Sequence, residues 1–278
     1  MTILVTGVRG RVGRAVLDEL LTAGEAVRAA SSRPEALDLP GGVESVRLGQ
    51  GAVDALPAAL AGVRKVFLYA ERGTVAEFVA AAKVAGVEHV VLLSSLSVEA
   101  DHAATDVIAQ SHLVVEEALL ASGIDWTFLR PGGFATNALQ WSGPIRAERQ
   151  VRMAYPEYYS EPVHELDIAD VAVRALLDDR HRNTAYRVVG PESLSARAQV
   201  ERIADAIGEP IRVTPISHEQ QREELLNFLP GPITDTLLAY QVLRDGVPRD
   251  LEGDVRAVLG RPPRDFAQWA KEHAEDFR

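Results

Sequence analysis

The sequence predicts an α/β protein: a doubly wound parallel sheet followed by a smaller, mainly helical C-terminal lobe. Three observations carry that expectation. A short β-branched run at the N-terminus leads straight into a glycine-rich turn and an amphipathic helix; strand and helix patterns then alternate to about residue 135; and past that point the alternation gives way to helices punctuated by proline and glycine.

The first stretch is the most informative. Thr2 to Thr6 reads as a buried strand, and Gly7, Gly10 and Gly13 follow before the helical pattern Val12, Ala15, Val16 and Leu20. In such a turn the first glycine lets the chain leave the strand tightly. The second lets the backbone approach a pyrophosphate, and the third lets the helix lie close to the sheet. The helix N-terminus then offers free N–H groups and a positive dipole to phosphate. Gly7, Arg9, Gly10, Arg11, Val12 and Gly13 are therefore candidate cofactor-binding residues, although the spacing is G-x-x-G-x-x-G and not the dehydrogenase G-x-G-x-x-G.

Further strands are expected at Ala26–Ala30, Val43–Leu48, Val66–Ala70, His89–Ser94 and Trp126–Leu129. Helices are expected at Val53–Ala61, at Thr74–Ala85 with Thr74 as cap and Gly86 as stop, and at Ala109–Ser122. The ligand of such a sheet lies beyond the strands' carboxyl ends, which adds Tyr69, Ser94, Pro131, Gly133 and Phe134 to the candidates. The stretch 1–135 is thus read as the dinucleotide-binding domain. Val163–Ile168 and Tyr186–Val189 look like strands returning to the sheet edge, with a helix at Ala169–Leu177 between them. Residues 136–162 and 191–278 form the substrate lobe, irregular over Asn137–Tyr159 and helical at Ser195–Ile207, Glu219–Leu229, Ile233–Arg244 and Asp265–Phe277.

Composition narrows the function classes. The chain has 278 residues, 47% hydrophobic and 25% charged, enough to bury a large core. It has no cysteine, which removes disulfides, thiol nucleophiles and Cys-based metal sites together. A net charge of −11 argues against a broad nucleic-acid surface. No apolar run reaches membrane-spanning length and no basic leader precedes the first strand, so a cytoplasmic protein without membrane or nucleic-acid partners is expected. No G-x-S-x-G and no P-loop lysine supports acyl or phosphoryl transfer.

The end of the second strand selects the dinucleotide. An NAD enzyme places an acid about twenty residues past the glycines, where it bonds the ribose 2′-hydroxyl and repels a 2′-phosphate. Here the segment is Ser31-Ser32-Arg33 with no acid before Glu35, so Ser32 and Arg33 would welcome the 2′-phosphate of NADP(H).

Several segments together resemble the NmrA-like group of atypical short-chain dehydrogenases. They are Thr6 to Gly13, Ser32-Arg33-Pro34-Glu35, Leu93-Ser94-Ser95-Leu96, Leu129 to Phe134, Val163 to Val171, Gly190-Pro191-Glu192, and Leu259 to Pro263 with Phe266 and Trp269. The resemblance spans nearly the whole chain. It implies an extended Rossmann fold, a preference for NADPH, and Ser94 and Ser95 beside the nicotinamide. It also implies either a quinone or enone reductase or a redox sensor that binds cofactor without turnover.

One departure bears on the chemistry. Tyrosine-dependent relatives carry Tyr-x-x-x-Lys on the helix after the fifth strand, where i and i+4 share a face. This chain has Ile108 and His112 there. Reducing a plain ketone makes an alkoxide with a basicity near that of hydroxide, conjugate-acid pKa about 15.7, which demands an acid. Reducing a quinone leaves a phenolate of pKa about 10, which water can protonate. The missing tyrosine therefore points to NADPH-dependent reduction of a small aromatic or conjugated carbonyl substrate, a quinone or an enone. His112 and Ser95 are the candidate catalytic residues, each balanced by a structural role, and a non-catalytic NADP(H) sensor is the alternative. Assembly as a homodimer is compatible with the sequence. His164, Glu165, Asp167 and Asp170 lack metal-site spacing, Asp167 being expected as a helix cap, so no metal is expected. Tyr155, Tyr158 and Tyr159 either wall an aromatic pocket or pack between lobes.

Overall fold

A computed structural model describes residues 1–49 and 51–278. In chain order the strands and helices are β1 (Thr2–Val5), α1 (Arg11–Thr22), β2 (Ala26–Ser31), β3 (Glu44–Arg47), α2 (Leu56–Leu60), β4 (Val63–Tyr69), α3 (Val75–Ala85), β5 (His89–Leu93), α4 (Val107–Leu120) and β6 (Asp125–Pro131). The second half holds α5 (Ser142–Glu148), β7 (Gln150–Met153), β8 (Tyr159–Ser160), α6 (Glu165–Leu177), β9 (Thr184–Val188), β10 (Leu194–Ser195), α7 (Ala196–Ile207), β11 (Arg212–Pro215), α8 (His218–Leu226), α9 (Gly231–Leu243), α10 (Val255–Leu259), α11 (Phe266–Glu272) and α12 (Ala274–Phe277).

Seven strands form one parallel sheet in the order β3-β2-β1-β4-β5-β6-β9. The order reverses between β1 and β4, and that switch point is where a doubly wound sheet opens a crevice. Helices cover both faces, which is why the central strands are continuous apolar runs. On one face Ile3, Val5, Phe67, Val91 and Leu129 pack against Val16, Leu17 and Leu20 of α1 and Ile168, Val171 and Leu176 of α6. Leu4, Val66, Leu68, Leu92 and Phe128, alternating with them along the strands, pack against α2, α3 and α4.

A third cluster joins α5, β7, α7, α11 and α12 around Trp269, which is fully buried and stacks on Phe266 at 5.1 Å. Here the structure corrects the sequence reading. The stretch 137–159 is ordered as a 3₁₀ turn, α5 and β7, and β7 pairs in parallel with β11. Val163–Ile168 is not a strand: Val163 makes a single bridge to Phe134, and α6 already begins at Glu165. Asp167 is not its cap. His164 is, its Nδ1 accepting from the Leu166 N–H at 3.2 Å. Asp167 is instead wholly buried one turn in, paired with Arg261 and Arg264, which also hold Asp170. Thr74 does occupy the cap position of α3, but its hydroxyl makes no capping bond.

The last two helices are tied to α6 by a polar chain centred on buried Glu165. Glu165 accepts from Trp269 Nε1 at 3.0 Å and from His273 Nε2 at 2.9 Å, while His273 Nδ1 meets Asp276 at 2.8 Å. Burial opposes charge on His273 and nearby Arg11 adds to that, but the two carboxylates override both and hold its pKa above the usual histidine value. A raised folded-state pKa contributes stability that is fully present below the unfolded value, about 6.5, and is lost as pH rises through the folded value. The thermal midpoint of the wild type is therefore expected to fall more steeply between pH 6 and pH 9 than that of His273→Asn. Parallel slopes in calorimetry would contradict the charged-histidine link.

Candidate cofactor site

The crevice at the switch point is a cleft of about 620 Å³. Its walls include Thr6, Gly7, Arg9 and Gly10 from the first turn, Ser31 at the end of β2 and Ser32 after it, Leu48 and Gly49 after β3, and Tyr69 at the end of β4 with Thr74 beyond it. Its mouth is fastened by Thr6, whose Oγ1 donates to the Phe67 carbonyl at 3.1 Å and accepts from the Tyr69 N–H at 2.7 Å, so the ends of β1 and β4 stay in register.

The turn is built by its glycines. Gly7 has φ +68°, in the left-handed region, and a side chain there would also press on the Tyr69 ring at 3.1 Å. A β-carbon on Gly13 would stand 2.4 Å from the Gly7 carbonyl oxygen and 2.9 Å from that of Thr6, so α1 can start this close to the strand only with glycine there. Gly10 is the N-cap of α1, in an extended conformation open to any residue, and no side-chain oxygen occupies the first-turn amides. A serine or aspartate cap would satisfy them itself; glycine leaves them for an anion. A glycine-capped helix pointing into a cleft is the chemistry a pyrophosphate requires, and these residues fit a dinucleotide.

The structure divides the predicted residues. Gly7, Arg9, Gly10, Ser32 and Tyr69 share the cleft wall. Val12 and Gly13 are buried behind it, leaving only backbone to offer. Arg11 leans to Asp276 at 3.7 Å. Arg33 is exposed, its backbone N–H held by Ser31 Oγ at 3.1 Å, and its guanidinium makes no ion pair among the described residues. Pro131, Gly133 and Phe134 lie after β6, two strands away, with Phe134 packed against the α1–α6 core.

At the end of β5 and on α4, the cofactor candidate Ser94 and the catalytic candidate Ser95 are engaged in structure, while the ring Nδ1 of the catalytic candidate His112 is not. The Ser94 hydroxyl donates to Glu116 at 2.5 Å, and Glu116, inside α4, also binds Arg130 at 2.6 Å, so Ser94 helps anchor α4 to β6. Ser95 caps a short 3₁₀ turn, accepting from the Ser97 N–H at 3.2 Å, and its Oγ lies 2.9 Å from the Ser97 hydroxyl. His112 is half-buried, and its Nδ1, shut off from solvent, has no hydrogen-bond partner among the described residues. Burial pushes its pKa below the ordinary histidine value, against a smaller opposing pull from Glu116, so at neutral pH it is uncharged.

Sequence reading missed two features. Tyr240 of α9 donates to Asp106, the N-cap of α4, clasping the helical lobe to the sheet. Arg47, the last residue of β3, donates to the Ser32 carbonyl at 2.9 Å. In the sequence the third strand reads to Leu48, one residue past its end in the structure, so Arg47 falls inside it without distinction, and no local pattern announces Tyr240.

A larger cavity, about 750 Å³, opens near the start of β4 between α1 and α6, lined by Glu19, Lys65, Asp170 and Arg261. It lies at the opposite end of the sheet from the strands' carboxyl termini, so it is not where this fold holds a dinucleotide.

Comparison with known proteins agrees with this geometry. A family profile described as NAD(P)H-binding matches residues 7–179. The chain belongs to the NmrA-like, NAD(P)H-binding group of atypical short-chain dehydrogenases. It is 39% identical over 280 residues to the (4-alkanoyl-5-oxo-2,5-dihydrofuran-3-yl)methyl phosphate reductase of Streptomyces griseus, covering 99% of each chain. It is 34% identical to the NAD(P)H azoreductase of Xenophilus azovorans, covering 80% of this chain and 79% of that one. The triphenylmethane reductase of Citrobacter sp. shares the fold with a TM-score of 0.82 at 22% identity, over 99% of this chain and all of the other. Among the described residues no group suited to a metal ion occurs, and no helix is long and apolar enough to cross a membrane.

Two substitutions separate the glycines' tasks. Gly10→Val is expected to abolish cofactor binding in fluorescence titration with little change in thermal midpoint. Gly13→Ala is expected to lower the midpoint, since forcing a methyl against two carbonyls costs on the order of 1–3 kcal/mol. A Gly10→Val protein that binds normally would move the pyrophosphate elsewhere. Arg33→Ala is expected to weaken NADPH by about 1.5–3 kcal/mol, the worth of a charge-assisted hydrogen bond, and to spare NADH. Calorimetry with both cofactors reads it directly.

Proposed function

We propose that this protein is an NADPH-dependent reductase that delivers hydride to a carbon–carbon double bond conjugated with carbonyl groups, or to a quinone. The observation that carries the reading is the missing acid: where tyrosine-dependent relatives hold Tyr and Lys, α4 carries Ile108 and an uncharged His112. The hydroxyls of Ser94 and Ser95, at the end of β5, are already committed to Glu116 and to a turn. Such a site suits substrates whose reduced form needs no proton at once.

Bound NADPH supplies the hydride from its nicotinamide ring. The chain's own part is to hold the pyrophosphate on the α1 amides, to fix the 2′-phosphate at Arg33, and to present the substrate at the carboxyl ends of β4 and β5. The Streptomyces griseus relative is named for a substrate of this electronic type. In a 4-alkanoyl-5-oxo-2,5-dihydrofuran the ring double bond is conjugated with two carbonyl groups. Hydride at the ring carbon remote from both would leave an enolate with its charge shared between two oxygens, and water can later protonate the neighbouring carbon that stands between the two carbonyls. Quinone reduction follows the same logic through a phenolate.

Stopped-flow absorbance with NADPH is expected to show turnover with acyl-butenolides, quinones or simple enones and none with unactivated ketones. His112→Ala is expected to lower kcat by less than about 10-fold, well short of the 10²–10⁴-fold typical when a general acid is removed. A full general-acid loss, with wild-type activity falling as pH rises through a histidine pKa, would overturn the direct-hydride route. Tight NADPH binding with no turnover across the whole panel would favour a redox sensor, whose oxidised and reduced cofactors must then bind with different affinities.

A further inference from the structure

Beside the cleft stands a pair of side chains that no role so far described uses. Arg47 ends β3 opposite Ser31, the last residue of β2. Its Nη1 donates to the Ser32 carbonyl at 2.9 Å, and its Nη2 donates to Glu35 at 3.0 Å. Ser32 is part of the cleft wall, and the chain after β3 returns to it closely enough that a β-carbon on Gly49 would lie 2.7 Å from the Ser32 β-carbon. The guanidinium is thus held at the end of β2, the place where a dinucleotide's adenosine ribose is read.

We propose that Arg47 is a second ligand for the 2′-phosphate of NADPH and that Glu35 is its resident counter-ion, so that this pair sets the margin by which the site prefers NADPH to NADH. The proposal rests on the NADPH reading above and names a residue from a different strand. The Arg47 and Glu35 side chains are 63% and 62% exposed, so water screens their attraction and the pair exchanges readily. A phosphate dianion offers the same planar fork more charge than a carboxylate does. Arg47 can keep its bond to the Ser32 carbonyl while its second amino group turns from Glu35 to the phosphate. Arg33, next in sequence to Ser32, is exposed and without an ion-pair partner among the described residues.

Glu35 has the complementary effect. It is the first acid after β2, the residue type that accepts a bond from the 2′-hydroxyl of NADH, and it would repel the 2′-phosphate if it stood alone. Neutralised by Arg47, it repels less. Preference for NADPH is therefore the balance of two guanidinia against one carboxylate.

The test is calorimetric titration of NADPH and NADH into the wild type and into Arg47→Ala, Arg47→Lys and Glu35→Gln, each with a thermal melt to confirm folding. Arg47→Ala is expected to weaken NADPH about 10-fold or more while leaving NADH within about 2-fold. Lysine, a point charge without the fork, should restore part of that loss. Glu35→Gln should tighten NADPH several-fold and not tighten NADH. If Arg47→Ala weakens both cofactors equally, or leaves NADPH untouched, Arg47 merely supports the Ser32 turn and the proposal fails while the wild-type preference for NADPH stands. If the wild type itself prefers NADH, it is the NADPH reading that fails.

Discussion

The site depends on how closely α1 approaches the end of β1. A helix starts there with its first turn against the carbonyls of Thr6 and Gly7, at a separation that even one methyl group on Gly13 would not allow. That approach is tolerable because the Gly7 carbonyl is already used, accepting from the Gly10 N–H at 2.8 Å, and because Thr6 is braced across the crevice to Phe67 and Tyr69. The consequence is a helix N-terminus with free amides at the rim of a cleft, which is an anion site created by backbone alone. At the end of β2 stand Ser32 and Arg33, with Arg47 of β3 donating to the Ser32 carbonyl, and the Tyr69 ring lies against Gly7.

The C-terminal helices are joined to this frame by charged pairs as well as by the apolar residues of α10. Asp167 and Asp170 of α6 receive Arg261 and Arg264 from the segment that follows α10, and Glu165 receives Trp269 and His273. Buried pairs of this kind add little net stability compared with apolar packing, but losing one partner strands the other, so they specify one docking geometry. The chain reaches the cofactor turn itself through Asp276 and Arg11. The Tyr240–Asp106 contact clasps the same lobe to the cap of α4.

Chemistry at the β5 end is shaped by what has been taken out of play. Glu116 binds Ser94 and Arg130, Ser95 closes a turn, and His112 is kept neutral by burial. In the function we propose, a site with its hydroxyls committed to structure serves binding and orientation and leaves proton transfer to solvent, which suits acceptors whose reduced forms are weak bases.

What the sequence by itself determined is everything that rests on local period and on glycine. The apolar strands, the Gly7-Gly10-Gly13 turn, helix stops such as Gly86, and the missing acid after β2 were legible because each follows from neighbours within a few residues. The strand returning at Tyr186 to the sheet edge was legible too, and it lies beside β6. Only the tertiary structure decided the start of α6, because its first turn, Glu165-Leu166-Asp167-Ile168, alternates polar and apolar residues like a strand and is helical on account of His164 as cap and of arginines almost a hundred residues away. The short parallel pair β7–β11, the capture of Ser94 by Glu116, and the arrival of Arg47 beside Ser32 are likewise contacts across the sheet or between distant segments. Periodicity shows which face of an element is buried; it does not show which distant charge will be waiting there, because that is settled by strand order and docking once the chain has folded.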